Sequence, residues 1–262
     1  MSGWLVTTIP SWLLFVGLIL LISGGAVLIQ RSVRRRFPGL AAGEHNDVTK
    51  FTYGFVGFVY AFFVGFVVSS MWGQINTADG NARAEGAGAV QMATDSVVFN
   101  SADKGRIRES LLAYEKAAIG EWSRAEHRSP EADAALTRVY AAYGQVQAET
   151  NAQKTLLATS YSNLDKISQA RTVRLLAARG DTGPPWQLWA VIYLTSAMVL
   201  GTVVIYGVER PALHYPMVAI VGVIVAANLF LALEMAHPFF GTLSTSSDPL
   251  HEAVWVLSQP TD

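Results

Sequence analysis

The chain has 262 residues, 51% of them hydrophobic and only 15% charged, with a mean hydropathy of +0.30. A soluble domain carries about 25% charged residues, so a secreted or soluble globule is excluded. The net charge of −1 argues against a nucleic-acid role, since phosphate binding needs a basic face. Cys is absent, which removes disulfides, thiolate chemistry, zinc–cysteine sites and iron–sulfur clusters together.

Residues 1–30, 51–78 and 182–208 contain no Asp, Glu, Lys or Arg. Runs of that length suit membrane helices, which need about 20 apolar residues to cross the hydrocarbon core. Four spans are predicted, at about 11–30, 51–73, 186–208 and 213–235, giving an all-α polytopic membrane protein. The first span is not read as a signal peptide, because its Arg cluster (Arg31, Arg34, Arg35, Arg36) follows it where a signal would have it in front. Trp12, Trp72, Trp186 and Trp189 sit near span ends, where amphipathic rings prefer the headgroup region. Loop 31–50 carries five basic residues and the short loop before the fourth span carries Arg210. The bias of Lys and Arg toward the cytoplasm puts both short loops inside. Both termini and the 74–185 insert then lie outside a cell membrane. The resulting domains are 1–73, with two spans and the basic loop; 74–185, an extracytoplasmic helical stalk; 186–241, with two spans; and a tail, 242–262.

The second span is the most informative. At about 100° per residue, Phe51, Phe55, Phe58, Phe62 and Phe66 fall on one stripe, and Gly54, Gly57, Ala61 and Gly65 on the adjacent one. Small residues let helices approach closely in a bilayer, so the second stripe is a packing face. The Phe stripe reads in two ways. It faces lipid or fills gaps in a bundle, or several subunits present it to a common axis as a constriction that gates by dewetting.

In the insert, 79–99 extends the second span, and a helix follows over about 102–126, capped by Ser101 or Asp103. A long helix covers 130–179, opened by Ser129-Pro130-Glu131, a cap residue with Pro at the first helical position, and closed by Gly180. Its apolar stripe runs through Leu136, Val139, Tyr143, Val146, Leu157, Leu164, Ile167, Val173 and Leu176, interrupted around 150–154. Arg171, Arg174 and Arg179 read as a solvated face, with an anion-attracting ring as the sharper alternative. In the fourth span, Asn228 is placed to hydrogen-bond across helices. Glu234 and His237, ahead of Pro238, are an intramembrane or interfacial polar pair or a simple cap. Asn46 or Asp47 caps the second span, and a metal site from Glu44, His45 and Asp47 is the weaker reading. No phosphate loop, nucleophile elbow or histidine pair at ligand spacing occurs. Neither catalysis nor a cofactor or metal is expected.

Several short pieces keep order and spacing from Arg31 to Gly241. These are Arg34–Arg36; His45-Asn46-Asp47-Val48; Gly57 to Tyr60-Ala61; Glu121-Trp122; Arg171 through Arg174-Leu175 to Ala178-Arg179-Gly180; and His237-Pro238-Phe239 to Gly241. Together they resemble a bacterial bestrophin-like family of four-span membrane proteins, distantly similar to the bestrophin anion channels. The resemblance implies an oligomer, typically pentameric, with a long helical insert after the second span. It also implies a pore lined by that span, with Phe58, Phe62 and Phe66 as neck candidates. Two departures stand out. No acidic run follows Gly241, so calcium gating is not implied, and bestrophins hold the insert in the cytosol where the basic-loop count puts it outside. Two functions are therefore expected: a homo-oligomeric pore with anion preference, or a non-conducting scaffold docking a cell-envelope partner through 74–185.

Overall fold

The computed structural model describes residues 6, 8–39, 46–122, 128–179 and 183–259. Its elements are helices α1 (Ser11–Arg36), α2 (Asn46–Asp95), a 3₁₀ turn (Ser96–Val98), α3 (Ser101–Trp122), α4 (Pro130–Gly144), α5 (Asn151–Arg179), α6 (Trp186–Ile205), α7 (Pro211–Met235) and α8 (Asp248–Ser258). No strand occurs among the described residues. Four helices are long and apolar enough to span a bilayer: α1, the α2 region, α6 and α7. At 1.5 Å per residue, the 20 residues of α6 cover about 30 Å, the thickness of the hydrocarbon core. The all-α, four-span fold is the expected one. The chain divides into two compact units, Met1–Gly73 with Gly183–Ser244, and Gln74–Thr182 with Thr245–Asp262.

The first unit is a membrane bundle. Its core joins Ala26 of α1, Val56, Tyr60 and Val64 of α2, Val199 and Val203 of α6, and Val218 and Val225 of α7. Helices α1 and α7 approach closely because Gly222 has no side chain. A Cβ there would lie 2.7 Å from the Ser23 Cα, and the Ser23 hydroxyl donates to the Ala219 carbonyl at 3.1 Å. Asn228 donates to the Tyr60 hydroxyl at 3.4 Å, the cross-helix bond its position suggests. Asn46 acts differently from the expected cap. Its amide donates to the Gly207 carbonyl and its oxygen accepts from the Gly207 N–H, each at 2.8 Å. Arg34 donates to the carbonyls of Val208, at 2.7 Å, and Glu209. Arg34 at the end of α1 and Asn46 at the start of α2 thus both bond the connection after α6 at one end of the bundle.

The second unit is built from the distal part of α2 with α3, α4, α5 and α8. Its core gathers Met92, Ile107, Leu111, Tyr114, Val139, Tyr143, Leu164, Ile167, Leu250 and Leu257. Two sequence expectations change here. Asn100, rather than Ser101 or Asp103, caps α3, its oxygen accepting from the Asp103 N–H at 2.8 Å. The helix is described as far as Trp122, and the rest of its expected course, 123–126, lies outside the described residues.

The single helix over 130–179 is two. α4 opens as read, with Ser129 accepting from the Ala132 N–H, and stops at Gly144. α5 restarts behind a reciprocal cap in which the Thr150 hydroxyl accepts from the Gln153 N–H and the Gln153 side chain accepts from the Thr150 N–H. That is a capping box, worth more than continuing a broken stripe.

The tail packs into this unit as well. α8 buries Leu250, Ala253 and Leu257, and Arg108 of α3 donates to the carbonyls of Val256 and Leu257 at its end. At Gly86 a Cβ would stand 2.4 Å from the Pro249 carbonyl oxygen, so the small residue admits α8 against α2.

Candidate functional site

Within the membrane bundle, α2 has two opposite faces. Val56, Tyr60, Val64, Val67 and Met71 are buried at the helical spacing of one stripe. About half a turn round, Phe51, Phe55, Phe58, Phe62 and Phe66 stand 63–79% exposed, and the Phe58 and Phe62 rings stack at 6.5 Å. The five Phe contribute nothing to the subunit's own core. The outward residues of the other spans are mainly aliphatic, such as Leu20, Leu21, Leu28 and Ile29 on α1 and Leu213, Ile220 and Ile224 on α7. Among the described residues only α2 presents a row of phenylalanines.

The small-residue stripe does not pack inside the chain. Gly54, Ala61 and Gly65 are exposed and Gly57 is half-buried. A Cβ built on any of the three glycines meets nothing within 4 Å. The close α1–α7 contact uses Gly222, which carried no sequence signal beyond being small. At the start of the Phe row, Asp47, Lys50, Phe51, Gly54, Phe55 and Phe58 line one open groove. Glu44 and His45 fall outside the described residues, and so does Gly180. Among the described residues no three His, Cys, Asp or Glu side chains converge as a metal site would need.

At the end of α7, Glu234 is buried and its Oε2 accepts from the N–H and hydroxyl of Thr242, at 3.0 and 3.1 Å. The chain folds back over it at Gly241, where φ is +88° and a Cβ would lie 2.7 Å from that oxygen. Only glycine suits both the conformation and the space. Glu234 therefore anchors the turn that contains Pro238, and its partner is Thr242; the His237 backbone N–H meets the Glu234 carbonyl at 3.4 Å.

In the second unit the arginines are the reverse of a solvated face. Arg171 and Arg174 are 2% exposed, while Val173 and Leu176 of the predicted apolar stripe are outside. Arg171 holds Glu121 through two bonds of 2.7 and 2.9 Å and Asp133 through a third of 2.7 Å. Arg174 lies between Glu85 at 3.4 Å and Glu121 at 3.3 Å, with its guanidinium 4.7 Å from the Trp122 ring centre. Burial, the largest single influence, pushes Glu121 and Asp133 up, but Arg171, the Ser129 N–H and Arg174 together outweigh it at Glu121, as Arg171 and Arg128 do at Asp133, and hold both carboxyls below their usual value. Arg171 and Arg174 thus clamp α2, α3, α4 and α5 together, and neither is exposed as a solvated face would require. Of Arg179 only its place at the end of α5 is described.

The Bestrophin-like domain family model matches residues 20–250, nearly the whole of the architecture just described. The chain belongs to the Bestrophin-like family. Solved structures agree on the fold. A variant of a bacterial bestrophin homologue from Klebsiella pneumoniae superposes with a TM-score of 0.68 at 13% identity, covering 94% of this chain and 97% of that one. A second Klebsiella pneumoniae variant gives 0.64 at 15% identity, over 91% and 96%. A variant described as a membrane protein gives 0.70 at 13%, over 91% and 96%. No curated protein matches the chain.

Proposed function

We propose that this Bestrophin-like protein is a homo-oligomeric ion pore, with α2 of each copy lining the axis and the Phe stripe forming its neck. The observation that carries the reading is the pairing of two unsatisfied faces on one helix. The Phe row lies opposite the subunit core, and the glycine row beside it is open to a neighbour. A helix in a ring needs both: one face toward the axis, and a small-residue flank that lets the next copy come close. An aromatic neck of this kind excludes water when narrow and conducts when wetted. The family membership supports the reading, and the anion preference implied by the bestrophin resemblance goes with it.

The competing reading is a scaffold whose second unit docks a cell-envelope partner. The test is native mass spectrometry of the purified protein, followed by bilayer recording. A closed homo-oligomer that conducts, with larger currents in Phe62→Ala, supports the pore. A monomer, or a stable association with other chains and no current, favours the scaffold.

A further inference from the structure

The centre of the second unit holds four charged side chains, Glu85 of α2, Glu121 of α3, and Arg171 and Arg174 of α5, none more than 2% exposed. Two carboxylates and two guanidiniums cancel. A fifth ionisable group, Glu115 of α3, is 0% exposed, and neither of its oxygens has a hydrogen-bond partner. An ionised carboxylate stripped of water and of partners is costly enough that such groups take up a proton instead. We propose that Glu115 is a buried proton-binding site, occupied in the folded bundle at neutral pH, whose emptying loosens the packing of α3 against α2 and α5. This inference is independent of the pore reading.

The charges around Glu115 support it from each side. α2 offers Glu85, a like charge, and α5 offers Arg174, the one opposite charge that acts on it. Arg174, however, directs its Nε and Nη2 at Glu85 and Glu121, and its Nη1 is itself buried without a partner. On α3, the adjacent Tyr114 hydroxyl donates to Glu85 at 2.6 Å, not to Glu115. α4 turns Ala132, Ala135, Leu136 and Val139 inward; its Asp133 is taken by Arg171 and its Arg138 is exposed. α8 turns Leu250, Ala253 and Leu257 inward and leaves Asp248, His251 and Glu252 exposed.

Burial first, and the Glu85 charge second, push the Glu115 carboxyl well above the usual carboxylate range, with Arg174 pulling less strongly the other way. A carboxyl raised in the folded state contributes stability that is fully present below its unfolded value and is lost as pH rises through the folded one.

The experiment uses the full chain in nanodiscs. Infrared spectra at neutral pH compare the wild type with Glu115→Gln, which keeps the shape of the protonated acid. The expected result is a C=O band of a dry, protonated carboxylic acid that E115Q lacks and that fades in the wild type as pH rises. Hydrogen exchange in α3 and α5, corrected for the intrinsic rate, should accelerate in the wild type by about tenfold per pH unit between the unfolded and the folded values of Glu115, level off above the folded one, and stay level in E115Q. A wild type without that band, a band unchanged in E115Q, or identical pH profiles would each overturn the proposal. If E115Q does not assemble, Glu115→Met supplies the neutral shape, and the wild-type band with its pH titration decides.

Discussion

Replacing Glu121 by Ala removes the acceptor on which the α3–α4–α5 junction turns. Arg171 loses two of its three carboxylate bonds, Arg174 loses one, and the Ser129 N–H loses its acceptor at 2.7 Å. Both guanidiniums are 2% exposed, so water cannot replace the lost partner without opening the bundle. Breaking one side of a buried pair costs about 3–5 kcal/mol, chiefly because the other charge stays buried and uncompensated. At about 1.4 kcal/mol per decade, exchange of the amides in α3 and α5 should accelerate by about two to three and a half orders of magnitude. Hydrogen exchange of the intact protein, resolved by peptide, measures this. Arg83→Ala is the control, since it breaks only the exposed i,i+4 pair with Asp79 and should leave those peptides unchanged. An acceleration under tenfold in Glu121→Ala would refute the claim that the buried network holds the three helices.

Three other outcomes are expected. Acid should weaken the same junction: the Glu121 and Asp133 carboxyls are held below their usual value, so their contribution is present above the unfolded value and disappears as pH falls through the folded one. Exchange in α4 and α5, corrected for the intrinsic rate and measured from about pH 6 down to about pH 3, where carboxylates titrate, should rise, and a flat corrected profile would contradict this. Gly86→Val should expel α8, because its Cβ would sit 2.4 Å from the Pro249 carbonyl oxygen; limited proteolysis between 242 and 250 should become fast, and unchanged protection would contradict the close approach. Gly222→Leu should disrupt the α1–α7 crossing, where Ser23 leaves no room for a side chain, and lower the yield of assembled protein in detergent. A normal yield would mean that the helices can separate without harm.

The spans were legible because charge-free runs and a 20-residue requirement are properties of sequence alone. The Ser129 cap was legible for the same reason, as a local pattern. What stayed hidden depended on contacts. A stripe of 3.6 periodicity cannot say which side of a helix is covered when both sides carry apolar groups; thus Arg171 and Arg174 look solvated and Val173 and Leu176 look buried until α3 supplies Glu121. The Thr150–Gln153 capping box was readable in the sequence, and it outranks the long stripe that suggested one helix. α8 has a clear apolar face in Leu250, Ala253 and Leu257, but its docking requires Gly86, more than 160 residues earlier. Of the candidate site, the Phe and Gly rows were visible from spacing. Their lack of any role in the subunit core became visible only in the fold.

The pore claim is tested most directly at Phe62. The chain has no Cys, so Phe62→Cys introduces a single thiol into an otherwise inert protein. In oligomers reconstituted in a planar bilayer, a charged, membrane-impermeant thiol reagent should react at position 62 and change the current, because the account puts that residue on a water path. A thiol that resists the charged reagent, reacts only with a lipid-soluble maleimide and leaves the current unaltered would place Phe62 against lipid and contradict the pore.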